Sequence, residues 1–178
     1  MGSPGIGAAG MTGVPLPLRR PPRADPVAAA LLLVGGALCI WQLLLPWRTV
    51  TVDSSSVAGT DVSVSGWQVY RLLRSVPDSA ADANLASYCV LGTAVGGGAL
   101  MLLGAAMMMA INHRPLGLAA LLVSGACVAG AGWLLISART IFDVGLFTLF
   151  AQAQAGWYLF LGAGFVGLAG AWKALATG

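Results

Sequence analysis

One histidine, six aspartates and three cysteines are the residues that could carry acid–base, metal or thiol chemistry in this chain, which has no glutamate. His113 stands in the short link Asn112-His113-Arg114-Pro115. A histidine base needs an orienting carboxylate and a nucleophile within reach, and the link offers neither, so His113 reads as a link residue near lipid headgroups. Asp25, Asp53, Asp61, Asp78, Asp82 and Asp143 all fall outside the apolar runs. Cys39, Cys89 and Cys127 all fall within them, with no C-x-x-C spacing and no neighbouring histidine. They read as small buried hydrophobes; a disulfide or metal site is the alternative, and no spacing favours it. The expectation is therefore no catalytic, cofactor-binding or metal-ligating residue, no cofactor, and a chain that is not an enzyme.

The elements around these residues are built for lipid. Of 178 residues, 58% are hydrophobic and 8% are charged, against about 25% charged in a soluble domain. So few charges cannot cover a water-facing surface. Four stretches carry no Asp, Glu, Lys or Arg: Pro26–Trp47, Ala83–Asn112, Pro115–Ala138 and Val144–Trp172, of 22, 30, 24 and 29 residues. A spanning helix needs roughly 20 mainly apolar residues, and a helix satisfies its own backbone groups in lipid. The predicted fold class is all-α integral membrane: a four-helix transmembrane bundle with a small β-hairpin extracytoplasmic loop. The helices are placed at about Val27–Leu45, Leu85–Ile111, Leu116–Ser137 and Gly156–Ala176, within a transmembrane domain of residues 25–178. Asp25 is the expected cap of the first helix, with Pro26 at its first position, and Asn84 the expected cap of the second. Residues 1–24 form a Gly/Pro-rich tail without periodicity, of the composition that stays disordered alone.

Orientation follows the basic residues. Arg19, Arg20 and Arg23 crowd the start of the first apolar run, and Arg114 and Lys173 fall on the same side. Arg48, Arg71, Arg74 and Arg139 fall on the other. The tail cluster decides the matter, giving a multi-pass plasma-membrane protein with both termini cytoplasmic and the loop 46–84 outside. The first run is too long for a cleaved signal peptide and no A-x-A site follows it, so it reads as an uncleaved anchor. Trp47, Trp133 and Trp157 are assigned to the outer interface and Trp172 to the inner one. Trp41 lies deeper and is assigned to packing against a neighbouring helix. No dense basic face appears, which argues against nucleic-acid binding.

The loop alternates. Val50 and Val52 interleave with Thr49, Thr51 and Asp53, and Val62 and Val64 with Asp61, Ser63 and Ser65. That is the period-two pattern of a hairpin with one apolar face. A lone hairpin is marginal in water, so the valine face must lean on the outer helix ends, on the loop between the last two spans, or on another protein. Trp67–Arg74 then reads as a short amphipathic helix lying on the membrane surface or on the hairpin. Arg71 and Arg74, three apart, face lipid phosphates or solvent. The loop Arg139–Ala155 carries Ile141, Phe142, Leu146, Phe147, Leu149 and Phe150, too apolar for an ordinary connection. It is an interfacial helix, an extension of the last span, a docking surface, or packing beneath the hairpin.

Small residues line the spans. Gly92-x-x-x-Gly96, Gly97 and Gly104 fall on the second, Gly117, Ser124 and Ala131 on the third, and Gly164, Gly167 and Ala171 on the fourth. Such faces let helices approach closely in lipid, either within the bundle or against a partner. The candidate interface residues are Gly92, Gly96, Gly104, Gly164, Gly167, Trp67, Arg71, Arg74, Phe142, Phe147 and Phe150. Gln42 and Thr93 are the main polar side chains within the first two spans, and no charge lies in any span. That argues against an ion-coupled transporter, whose pathway intramembrane charges mark.

Leu44-Leu-Pro-Trp-Arg-Thr-Val followed by Val62-Ser-Val-Ser-Gly-Trp67 resembles the first extracellular loop of a broad group of small actinobacterial membrane proteins with four helices, a plan similar to claudins. The claudin W-GLW-C-C signature is absent, so tight-junction function does not carry over. Within that group the size and layout are similar to the small four-helix accessory subunits of mycobacterial Mce (mammalian cell entry) lipid importers. The resemblance implies a non-catalytic accessory or stabilising subunit of an ABC-type lipid transporter. Its partners would be a permease, an ATPase reached through the N-terminal tail, and lipids. An independent small transporter or channel acting as a homo-oligomer is the competing expectation.

Overall fold

The computed structural model describes residues 24–54, 57–75, 81–109, 113–142 and 145–177. The N-terminal tail, the hairpin tip, the Pro77-Asp78 break and Asp143 lie outside these residues.

Seven helices and two strands follow in order among the described residues: α1 (Pro26–Trp41), β1 (Pro46–Ser54), β2 (Val57–Ser65), α2 (Gly66–Ser75), α3 (Ala81–Met107), α4 (His113–Ile136), α5 (Ala138–Phe142), α6 (Leu146–Ala151) and α7 (Ala155–Thr177). Three of them, α3, α4 and α7, are long and apolar enough to cross a membrane. The result fits an all-α membrane protein carrying a two-stranded sheet. The first expected span is shorter than predicted: α1 has 16 residues, about 24 Å at 1.5 Å per residue. Its hydrogen bonding tightens rather than stops, since Leu43 N–H donates to Ile40 O and Leu44 N–H to Trp41 O. Pro46 ends the run because it has no N–H to continue it.

α1 packs against α3 and α7, and α4 packs against the same two, so α1 and α4 stand across the diagonal. Close approach sets these seams. A Cβ on Gly97 would lie 2.6 Å from the Gly36 carbonyl oxygen and 2.6 Å from Cys39 Cβ, a space that only a hydrogen fills. At one end of α1, Asp25 N–H donates to Met107 O at the end of α3, and the Asp25 carboxylate meets Lys173 and Thr177 at the end of α7. At the other end, the carbonyl oxygens of Leu45 and Pro46 sit against Gly156 at the start of α7. α1 is therefore antiparallel to both neighbours. The bundle has a tail-side end and a hairpin-side end, and each end has its own apolar core.

Asp25 and Pro26 act as expected: the Asp25 carboxylate accepts from Ala28 N–H at 3.1 Å, with Pro26 at the first position. The cap of the second span is corrected. α3 begins at Ala81, so Asn84 lies inside its first turn, where its carbonyl accepts from the Ser87 hydroxyl at 2.7 Å. Asn84 never had a helix start to cap, because the small residues before it already favour the helix.

β1 and β2 pair antiparallel in the register Arg48↔Val64, Thr49↔Ser63 and Val50↔Val62. The free edge of β1 is covered by residues 152–154. Gln154 N–H donates to Trp47 O at 2.9 Å, Thr49 N–H to Gln152 O at 3.4 Å, and Arg48 bridges Ala153. Covering the edge removes a row of unpaired donors and acceptors that would otherwise template another strand. Of the loop valines, Val64 packs against the hairpin-side core while Val62 is exposed.

Candidate functional site

The hairpin-side end carries a folded lobe, and Trp47 is its anchor. The sequence places Trp47 where β1 leaves α1, and its indole is buried rather than turned to lipid. Nε1–H donates to Gln42 O at 2.8 Å, and the ring packs edge-on to Trp157 at 5.4 Å and against Phe160 at 4.8 Å. Two glycines leave room for it: a Cβ on Gly66 would lie 2.5 Å from Trp47 Nε1, and one on Gly156 2.5 Å from Trp47 Cδ1. Polar contacts then fix the strand. Arg48 Nε donates to Gln152 Oε1 at 2.9 Å, and Gln154 Nε2 donates to Thr49 Oγ1.

This corrects the tryptophan reading. Trp47 and Trp157 are core residues of the lobe–bundle junction: Trp47 satisfies its N–H on Gln42 O, while Trp157 Nε1–H is buried without a protein partner and the ring is held by its packing on Trp47 and Phe160. Trp133 is partly buried against the same core. Trp41, expected to pack on a neighbour, is exposed instead, and Trp172 is exposed beside Lys173.

α2 lies across the start of α3. Val69 and Leu73 are its buried face. Trp67 is half-exposed and stacks on Tyr70 at 5.2 Å. Arg74 reaches α3, where its guanidinium donates to Asn84 Oδ1 at 3.5 Å and lies 5.7 Å over the Tyr88 ring. Arg71 points to the exposed side. The apolar loop before α7 proves to be two short helices. Phe142 in α5 is partly buried against the lobe core, Leu149 in α6 is buried, and Phe150 lies 6.4 Å from Tyr158. Phe147 is 95% exposed, on a helix whose other face is held by the protein.

The glycines separate into inward and outward sets. Gly96 faces Cys127 and Val123, Gly104 faces Ala29 and Leu32, Gly164 faces Val128, and Gly167 faces Ser124 and Leu100. These four serve seams within the chain. Gly92 alone of the candidate glycines has nothing within 4 Å of its would-be Cβ.

Between the two cores lies a short file of buried polar groups. Thr93 Oγ1 donates to Cys89 O at 2.8 Å, within its own helix. Cys39 of α1 and Cys127 of α4 are both buried against α3, at Gly97 and Gly96 respectively. The Gln42 amide and the Ser124 hydroxyl are fully buried with no protein partner. A buried amide without a partner costs on the order of 1–3 kcal/mol, so it marks a place where the core is not optimised for stability alone.

The tail-side end is held by one polar knot. The Thr177 hydroxyl lies 2.6 Å from Asp25 Oδ2, and Lys173 Nζ lies 3.8 Å from the same oxygen. Burial works against ionisation of Asp25, but Thr177, the Ala28 N–H and Lys173 together outweigh it and hold the carboxyl below its ordinary value. Among the described residues no group of three His, Cys, Asp or Glu side chains could hold a metal ion.

Several of these partnerships were not anticipated. Gln152 and Gln154 carry a period-two signal, alternating with Ala in Ala151-Gln-Ala-Gln-Ala155, which marks a strand-like segment. The Asp25–Thr177 pair leaves no such trace, since its members are 152 positions apart.

No protein-family model, curated protein or solved structure matches this chain. The class rests on the architecture itself: a mainly helical protein with three helices of membrane-crossing length and apolarity and a small sheet-bearing lobe at one end.

Proposed function

We propose that this chain is a four-crossing plasma-membrane protein that serves as a non-catalytic accessory subunit of a larger membrane complex, with the hairpin-side lobe as its docking platform. The fourth crossing is α1. Its helical bonding reaches Leu44, and it runs beside α7 from the Asp25–Thr177 contact to the Leu45–Gly156 contact. It therefore covers the same depth as a helix long enough to span. Four crossings put both termini on one side, and the Arg19, Arg20 and Arg23 cluster favours the cytoplasm for that side. The lobe then faces outward.

The observation that carries the reading is an exposed apolar surface on a lobe whose first strand is braced against the bundle. The hairpin is braced by Trp47 and by the 152–154 segment, yet Trp67 and Leu72 on α2 and Leu146 and Phe147 on α6 remain exposed. Large apolar side chains held outward on a braced scaffold fit a partner surface or the lipid interface. Gly92, outward on α3, adds a place where a partner helix can approach.

The lipid-importer setting is the specific form of this proposal, and it rests on the resemblance of the loop motif. Purification of the tagged chain in a gentle detergent tests it. Stoichiometric recovery of other integral membrane subunits supports an accessory role, and a permease with an ATPase among them supports the importer. Recovery of the chain alone, or only as a homo-oligomer, refutes the accessory role and favours the independent channel.

A further inference from the structure

The outward face of α7 carries a groove near its tail-side end. Its volume is about 740 Å³, within the range of about 300–1,000 Å³ usual for small-molecule sites. Leu168, Ala169, Trp172 and Lys173 form it on α7, and Leu31 of α1 and Leu121 of α4 line it from the flanking helices. The seams leave this face outside. Gly170 is taken up by Leu31 and Leu32, and Gly167 by Ser124 and Leu100, so Ala169 and Trp172 remain exposed. Leu168 and Lys173 are about 7.5 Å apart along the helix at 1.5 Å per residue. The groove therefore lies within one leaflet of a hydrocarbon core about 30 Å thick.

Among the described residues, Lys173 is the one charged side chain that lines the groove. Its ammonium is 3.8 Å from Asp25 Oδ2, beyond hydrogen-bond reach. Asp25 is already served by the Ala28 N–H and the Thr177 hydroxyl. The Lys173 side chain is 42% exposed and that of Asp25 11%, so the charge presented outward is positive. Arg114, exposed in the first turn of α4, adds a second cation at the same end.

We propose that this groove holds one anionic phospholipid of the tail-side leaflet, with an acyl chain along Leu31, Leu121 and Leu168 and the phosphate on Lys173. A lone cation at the tail-side end of an apolar slot suits a molecule with a charged head and an apolar chain. Lysine reaches the headgroup layer by extending its stem, and tryptophan is a residue type of that layer. A partner helix fits less well. Ala169 and Ala176 are small enough to seat one, but Trp172, 69% exposed, stands between them. The inference rests on α7 crossing the membrane and not on an accessory role, so recovery of the chain alone leaves it standing.

The test is native mass spectrometry of the full chain in a mild detergent, titrated with phosphatidylglycerol or with phosphatidylcholine of the same acyl chains. The first phosphatidylglycerol should bind about fivefold more tightly than phosphatidylcholine, the effect of one cation near an anionic headgroup. Lys173→Gln should bind the two lipids equally, and Lys173→Arg should keep the preference. Ala169→Phe, which fills the groove from an exposed position, should lose the first lipid of either kind while unfolding at the wild-type temperature. Glycerol phosphate, which carries the charge without the chains, should not displace the lipid. Equal binding of the two lipids by wild type, an unchanged preference in Lys173→Gln, or full binding by Ala169→Phe would each overturn the proposal. So would displacement by glycerol phosphate, or a dimer of this chain that Ala169→Phe abolishes.

Discussion

The two ends of the bundle are closed by different physics. At the hairpin side, Trp47, Trp157 and Phe160 lock a lobe onto the helices by apolar burial. At the tail side, Asp25 gathers the ends of three helices, its N–H on Met107 O and its carboxylate on Thr177 and Lys173. Burial of that kind does not depend on pH and is spread over many atoms. The Asp25 knot is small, electrostatic and concentrated in a single titratable group. The chain thus has a fixed end suited to presenting a surface and an end that conditions can loosen.

The largest effect should come from the fixed end. Trp47→Ala removes the central ring of the junction, and large-to-small aromatic changes in cores cost about 3–5 kcal/mol. Protease digestion in detergent should cut within β1–β2 before the spans unfold. If the hairpin stays resistant, Trp47 is not what holds the lobe.

The helix seams give the next effect. Gly97→Ala places a methyl against the Gly36 carbonyl, and overpacking of this kind costs about 1–3 kcal/mol. Gly92→Ala, with open space at its Cβ, should leave the unfolding temperature unchanged. Equal effects from the two would contradict the inward and outward division of the glycines. Gly92→Leu sharpens the same contrast: it should leave the isolated chain stable and reduce recovery of a partner.

The tail-side effect is smaller and depends on pH. Loss of an N-cap acid, as in Asp25→Ala, costs about 1 kcal/mol. The folded carboxyl titrates below its ordinary value, so its contribution is fully present above about pH 4, near the unfolded value. It is lost as pH falls through the lower folded value. Asp25→Ala should therefore differ from wild type at neutral pH and converge with it in acid. A difference that persists unchanged to low pH would mean that the charge is not what matters. Arg71→Ala should have the least effect on the fold, since Arg71 is exposed; its only expected consequence is weaker attachment to a partner or to anionic vesicles.

Much of this contrast was legible in the sequence where the signal is local. The uncharged runs located α3, α4 and α7 to within a few residues, and the Asp25-Pro26 pair fixed the start of α1. Alternation at Val62–Ser65 gave the hairpin, and the Trp67–Arg74 pattern gave α2. The apolar stretch 139–155 could not be divided from sequence, because Phe and Leu suit an interfacial helix and a buried one equally. What stayed hidden is nonlocal. Nothing in the sequence pairs Asp25 with Thr177, and the burial of Trp47 depends on Gly66 and Gly156 converging from distant positions. Gly96 and Gly92 look alike in a G-x-x-x-G motif, yet helix rotation sends one inward and the other out.

The account stands on α1 crossing the membrane, so that the lobe and the termini lie on opposite sides. Ala24→Cys and Ser75→Cys, each in a background with Cys39, Cys89 and Cys127 changed to Ser, place one reactive thiol at either end. Intact cells treated with a membrane-impermeant maleimide should label the Ser75 position at once and the Ala24 position only after permeabilisation. Labelling of both positions from the same side would mean that α1 does not cross, and would contradict the account.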